Sequence, residues 1–179
     1  LPSPAGREDG DPYRTYRRVG TVMAVALLAL VLVELTRNAL HPTDRDFLSF
    51  WSAGRLALAG VPAEAYDREA LRAVQAGAAT LSRGELPFPY PPAFLLLVAP
   101  FALLPFPAAM AAWVAVTFVP FFIAVRRLFP ASGWLAAAFR PLFVSAAIGQ
   151  NAGLTAAVFA GDLLLLPRRP FAAGLLLGC

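Results

Sequence analysis

Between Val19 and Leu35 the chain is built almost wholly of Val, Ala, Leu and Met. With its flanks the run is long enough to cross a hydrocarbon core, which takes about 20 helical residues. A helix satisfies its own backbone hydrogen bonds in lipid, so this run commits the start of the chain to a membrane helix. Composition agrees. The chain is 59% hydrophobic with a mean hydropathy of +0.64, whereas a soluble domain is about 45–50% apolar. A secretory leader is the alternative. Against it, the run is long, and Glu34-Leu35-Thr36-Arg37-Asn38 stands where a small-residue cleavage site belongs.

Charge is sparse and patterned. There are 15 basic and 11 acidic residues, a net charge of +4, and every basic residue is Arg. The arginines fall at the ends of apolar runs, as topology signals do. They do not form a nucleic-acid surface, and no nucleic-acid partner is expected. Cys179 is the only cysteine, so no disulfide framework exists. His41 is the only histidine and has no metal-ligand cluster around it, so no metal is expected.

These features lead to an all-α fold, a polytopic transmembrane helical bundle. Leu1–Arg18 reads as a disordered cytoplasmic tail, its Arg14, Arg17 and Arg18 placing the N-terminus inside. A single transmembrane domain follows over 19–179, with a first span at 19–38, an outer loop at 39–92 and further spans in 93–179. Residues 93–125 contain Pro100, Pro105 and Pro107. They read as one crossing with a broken entry helix or as two short helices. Another apolar helix runs from Asn151 to Leu166, and the pair Arg168-Arg169 is expected in the cytoplasm. The apolar segment after Phe171 is shorter than a span, so the sequence is expected to be the N-terminal part of a longer protein.

The outer loop holds two helical patterns. In the first, Asp46 is the expected N-cap, and Phe47, Phe50, Trp51 and Leu58 share a face. Gly60-Val61-Pro62 is its stop signal. In the second, Asp67 caps a helix carrying Leu71, Val74, Ala78 and Leu81. Both are expected to be juxtamembrane amphipathic helices lying in the interface plane.

Carboxylates at a membrane edge are costly unless solvated, paired or functional. Asp44 and Asp46 are therefore the first candidates for chemistry. One of them could take a proton from a sugar or lipid hydroxyl as that oxygen attacks an electrophilic carbon. The bland alternative makes Asp46 an N-cap and Asp44 a turn residue paired with Arg45. Tyr90, in Tyr90-Pro91-Pro92, is a candidate cavity wall or simply part of a rigid helix entry. Gln150 and Asn151 follow Gly149 at the end of an apolar helix. Their amides could bind sugar hydroxyls or phosphate oxygens, or bond between helices. The spacings Gly149-x-x-x-Gly153 and Gly174-x-x-x-Gly178 suit close helix packing. Asp162 reads as paired or interfacial.

Taken in order, these pieces resemble glycosyltransferase family 87. The resemblance rests on Asp46-Phe47-x-x-Phe50-Trp51-x-Ala53-x-Arg55 with Gly60 and Ala65-Tyr66-Asp67. It continues through Phe88-x-Tyr90-Pro91-Pro92-x-Phe94 and Leu104-Pro105, then Gly149-Gln150-Asn151-x-x-Leu154-Thr155-Ala156-Ala157. Arg168-Arg169-Pro170-x-x-Ala173-Gly174-x-x-Leu177-Gly178 completes it. It implies a polytopic enzyme of the GT-C class. Such an enzyme would move a hexose, often mannose, from a polyprenyl-phosphate donor in the bilayer to a lipid or glycan acceptor outside the cytoplasm, with inversion. The general base of that scheme maps onto Asp46, with Asp44 second. Arg55 could supply charge to the leaving phosphate, and no cofactor is implied. The family's later Lys-Pro motif is missing here, so this stretch alone is expected to be inactive.

Two other classes compete. A proton-coupled transporter or lipid flippase would use Asp44, Asp46 and Asp162 as relays, and a non-catalytic scaffold would use none. Transporters put polar groups near the bilayer midplane. Here the acids cluster in the outer loop, which favours a reaction at the surface.

Overall fold

A computed structural model describes residues 14–82, 84–130 and 139–178. Among these residues the elements are helical, and Thr43 and Thr80 form a single isolated bridge. Helix α1 spans Arg14–Leu40, α2 Asp46–Leu58 and α3 Arg68–Ala78, with a 3-10 turn at Pro62–Tyr66 between the last two. Next come α4 (Ala93–Val98), a 3-10 turn at Ala99–Leu103, and α5 (Phe106–Leu128). Helices α6 (Arg140–Ile148), α7 (Ala152–Leu165) and α8 (Pro170–Leu177) complete the order.

Among the described residues, two helices are long and apolar enough to cross a membrane: α1 with 27 residues and α5 with 23. At 1.5 Å per residue they reach about 40 and 35 Å, against a core of about 30 Å. Helix α7, with 14 residues, reaches only about 21 Å. The expected series of spans over 93–179 is therefore represented by one helix of spanning length among the described residues. Between 93 and 125 the broken-entry alternative is the one that forms. Leu104-Pro105 separates the short α4 segment from the long α5 because Pro disfavours helical backbone in the residue before it.

Helix α1 begins at Arg14, inside the stretch expected to be disordered. Nothing between Arg14 and Val19 breaks a helix, and Arg is a good helix former. The remainder of the expected tail, residues 1–13, lies outside the described residues, as do residues 134–138 at the start of the run Trp134–Ile148, which the sequence makes apolar except for Arg140.

Helix α2 is not an interfacial helix. Phe47, Leu48, Phe50, Ala53 and Leu56 are all buried, as are Ser49, Ser52 and Gly54. The helix is exposed at Arg55 and at its end, where Leu58, exposed at 46%, lies off the expected face. The cause is a wrapping of aromatic residues. Phe47 stacks on Trp113 at 5.6 Å and on Phe106 at 6.1 Å. Phe50 meets Tyr90, Phe94 and Trp113 edge-on at 5.1–5.5 Å. Opposite, Gly54 lets α4 approach: an added Cβ would sit 2.9 Å from Ala102 Cβ and 3.1 Å from the Val98 carbonyl. A helix apolar on most sides is a core helix, and α2 is the core of this part.

Asp67 caps α3 as expected, accepting from the Ala70 N–H at 2.9 Å. The helix stops at Ala78, so Leu81 lies beyond it, though still packed on the same core. A second apolar cluster joins Val31 of α1 to Phe118 of α5 and to Leu142 and Ala146 of α6. Gly153 lets α7 seat against the Phe118 ring, where an added Cβ would lie 2.9 Å from it, whereas one at Gly174 would meet open space. Among the described residues, the first of the two small-residue spacings is the one used for packing.

Trp113 is 1% exposed and touches four aromatic neighbours of the core. Trp113→Ala is expected to cost about 3–5 kcal/mol, read as a lower midpoint in thermal unfolding of the detergent-solubilised chain. An unchanged midpoint would contradict this account of the core.

Candidate functional site

The first residues of α2 are fixed from outside. The Arg45 guanidinium donates to Glu34 of α1 at 2.7 Å, so Arg45 is not the partner of Asp44. Arg45 is also the N-cap residue, and no side chain caps this helix. Asp46 is therefore the first helical residue rather than the cap. Its charge is still favoured there by the helix dipole, and its carboxylate is left for other partners.

That partner is Gln150. The Gln150 side-chain amide donates to Asp46 Oδ2 at 2.6 Å, across 104 positions of sequence. The contact depends on Gly149, which ends α6 with φ +73. A Cβ there would lie 2.5 Å from Phe47 Cβ, so both conformation and space demand glycine. The turn closes with the Gln150 N–H donating to the Ser145 carbonyl at 2.9 Å. The amide of Gln150 thus bonds a carboxylate of a different element, between the two roles the sequence left open for it.

The opposite wall is the extended segment 84–92, and three side chains hold it. Gln75, fully buried, donates to the Leu86 carbonyl at 2.7 Å and accepts from the Leu86 N–H at 2.9 Å. Ser49 donates to the Pro87 carbonyl at 2.6 Å, and Tyr66 to the Tyr90 carbonyl at 2.8 Å. Arg68 adds an ion pair with Glu85, holding that carboxyl below its usual range. Between this wall and α2 lies a cleft of about 210 Å³ lined by Asp46, Ser49, Tyr90 and Gln150, with Phe50 and Leu86 behind them.

Tyr90 belongs to the cleft and to the core, its ring stacked on Phe94 at 4.5 Å. Burial, and then the Asp46 charge, push its phenol above the usual value. A neutral hydroxyl beside a carboxylate can donate hydrogen bonds to a bound ligand.

The other candidates lie elsewhere. Asp44 accepts from the Ser82 hydroxyl at 2.7 Å and from its N–H at 3.2 Å, tying the end of α3 to the start of the loop. Arg55 is exposed, with its guanidinium 5.7 Å from the centre of the Trp51 ring. It stands nine residues beyond Asp46, about 13 Å along α2. Asn151 heads α7, where its carbonyl accepts from Thr155, and it does not line the cleft. Asp162 is buried, 8% exposed, and its Oδ1 has no hydrogen-bond partner among the described residues.

Sequence reasoning missed Glu34, Ser49 and Gln75. Glu34 is an acid in a helix of membrane-spanning length and Gln75 a polar residue on an apolar face. Either could have signalled a buried partner.

Two outcomes test this geometry. Absorbance titration should find Tyr90 ionising above pH 10. In Asp46→Asn its pKa should fall while staying raised, because burial is the larger cause. Gly149→Ala should cost about 1–2 kcal/mol from backbone strain alone, plus the displacement of Phe47, seen as a lower unfolding midpoint. A variant as stable as the parent would mean that the turn does not hold Gln150 in place.

The family model for glycosyltransferase family 87 matches residues 88–179. That range includes Tyr90, Gln150 and Asn151, while Asp44, Asp46 and Arg55 precede it. No curated protein and no solved structure matches the chain significantly.

Proposed function

The chain belongs to glycosyltransferase family 87, which makes it a membrane glycosyltransferase with a sugar donor and an acceptor, and from that premise we propose that Asp46 is its general base. The donor in this reading is a polyprenyl-phosphate hexose, with mannose the expected sugar. The acceptor is a lipid-linked or extracytoplasmic hydroxyl. The supporting observation is the Gln150–Asp46 hydrogen bond of 2.6 Å at the edge of the cleft. It holds one carboxylate oxygen in place. Oδ1 has no hydrogen-bond partner among the described residues and is available to an acceptor.

The reaction is one inverting displacement. The acceptor oxygen attacks the anomeric carbon as its proton passes to Asp46 Oδ1. The bond from that carbon to the phosphate oxygen breaks, and the polyprenyl phosphate leaves with the electron pair. Gln150 orients the base and Tyr90 donates to a sugar oxygen. The donor's tail stays in the bilayer, so the reacting atoms must meet at the membrane face. The cleft is smaller than the roughly 300–1,000 Å³ of typical ligand pockets and suits one sugar ring. The rest of the donor would extend beyond it, toward Asn151 or Arg55. We further propose a multi-pass plasma-membrane protein with a cytoplasmic N-terminus, which puts Asp46 outside. A proton relay is less well supported, since Asp44, Asp46 and Asp162 sit in three different surroundings.

Membranes containing the protein, supplied with polyprenyl-phosphate sugars, provide the test. Asp46→Asn should lower transfer by about 10²–10⁴-fold, the usual contribution of a positioned base. Gln150→Ala should lower kcat less and leave KM nearly unchanged, and Asp44→Ala should retain most activity. Full transfer by Asp46→Asn would remove the assignment.

A further inference from the structure

One wall of the cleft runs through Leu86, Pro87, Pro89 and Tyr90. Residues 86–92 read Leu-Pro-Phe-Pro-Tyr-Pro-Pro. Proline has a fixed φ and no N–H, so this run is stiff, and its only backbone donors are at Leu86, Phe88 and Tyr90. Such a run makes a poor strand in a sheet. Its place is set instead by side chains of other elements. Tyr66 holds the Tyr90 carbonyl and Ser49 the Pro87 carbonyl. At Leu86 both backbone groups are taken by one side chain, that of Gln75.

Gln75 is 0% exposed and does not line the cleft. It shares the buried face of α3 with Leu71, one turn earlier. Val74 and Ala78 pack on the same core, so α3 is a firm support. A buried amide costs free energy unless its groups are bonded, and a leucine here would fill the stripe without that demand. What the amide adds is the pair of bonds to Leu86. The facing wall, with Asp46, Ser49 and Phe50 of α2, is held separately by its aromatic packing, and Gln150 by the turn at Gly149.

We propose that Gln75 is a positioning residue for the sugar: it fixes the Leu86–Pro87 end of the wall against α2, and so sets the width of the cleft, without touching the substrate. The proposal rests on the reading of the cleft as the sugar site. A wall already in place adds nothing to the cost of binding, whereas a loose one must be ordered as the sugar enters. Loss of Gln75 therefore weakens binding, while proton transfer at Asp46, on the other wall, keeps its geometry.

The test compares sugar transfer from polyprenyl-phosphate mannose by membranes holding the parent, Gln75→Leu or Gln75→Glu. In Gln75→Leu the donor KM should rise about tenfold, since binding must then order the wall without two ordinary hydrogen bonds, and kcat should stay near the parent's. Gln75→Glu separates positioning from a folding defect. Its protonated carboxyl can accept from the Leu86 N–H and donate to the Leu86 carbonyl, as the amide does, and its ionised form has no donor. Burial favours the protonated form. Relative to the parent, its KM should be near normal at about pH 5 and raised at about pH 8, reversibly in one sample. Asp46 and Arg55 of α2, Glu64 and Tyr66 of the 3-10 turn, and Arg68, Arg72 and Glu85 are common to both proteins, so the ratio to the parent removes their titration. An unchanged KM in Gln75→Leu, a fall in kcat alone, or a Gln75→Glu ratio that does not vary with pH would overturn the proposal. Hydrogen exchange read by mass spectrometry needs no activity: the peptide containing Leu86 should exchange faster in Gln75→Leu. Unchanged exchange there would sink the role of Gln75 even if Asp46 proved to be the base. Faster exchange in a protein that transfers no sugar would keep the hold on the wall while the reading of the cleft failed.

Discussion

Burial of α2 within a shell of aromatic rings is the constraint on which the site depends. Phe47 and Phe50 point into Trp113, Phe106 and Phe94, and Gly54 admits the end of α4 and the 3-10 turn after it. The helix cannot slide or turn without opening this packing. Asp46 is its first residue, so a well-packed core fixes the position of a carboxylate at its edge. Aromatic pairs prefer particular offsets and angles, which adds orientation to simple apolar burial.

Polar contacts complete what packing begins. Glu34 holds Arg45 on one side of Asp46, and Gln150 holds Asp46 itself. The far wall of the cleft has no regular secondary structure, and an extended segment must find partners for its backbone groups. Gln75, Ser49 and Tyr66 supply them. Gln75 uses both ends of its amide on one residue, in the manner of a neighbouring strand. The cleft is therefore shaped by side chains that need not contact a substrate.

Several elements were legible because their causes are local. The α1 run, the Asp67 cap, the Gly60 stop and the break at Leu104-Pro105 each follow from a few neighbouring residues. The reading of α2 as an interfacial helix failed for a nonlocal reason. An aromatic face looks the same whether lipid or protein covers it, and the covering residues, from Tyr90 to Trp113, lie 40 to 66 positions away. The N-cap assignment of Asp46 failed by a single residue, because the cap position is decided by backbone angles that composition does not reveal. Gln150 was singled out as a polar residue that needs a partner, but nothing near it in the chain names that partner.

What the amino-acid sequence determined by itself is the class of molecule. Long apolar runs bounded by arginines require helices of membrane length, and ordered motifs carry the family. What only the tertiary structure decided is the site. Gly149 turns Gln150 onto Asp46, while Asp44 is drawn to Ser82 and Arg55 remains over Trp51. Both acids lie two residues apart in the same polar stretch, and local chemistry treats them alike. They differ only in what distant segments of the chain bring to them, and that is a consequence of packing.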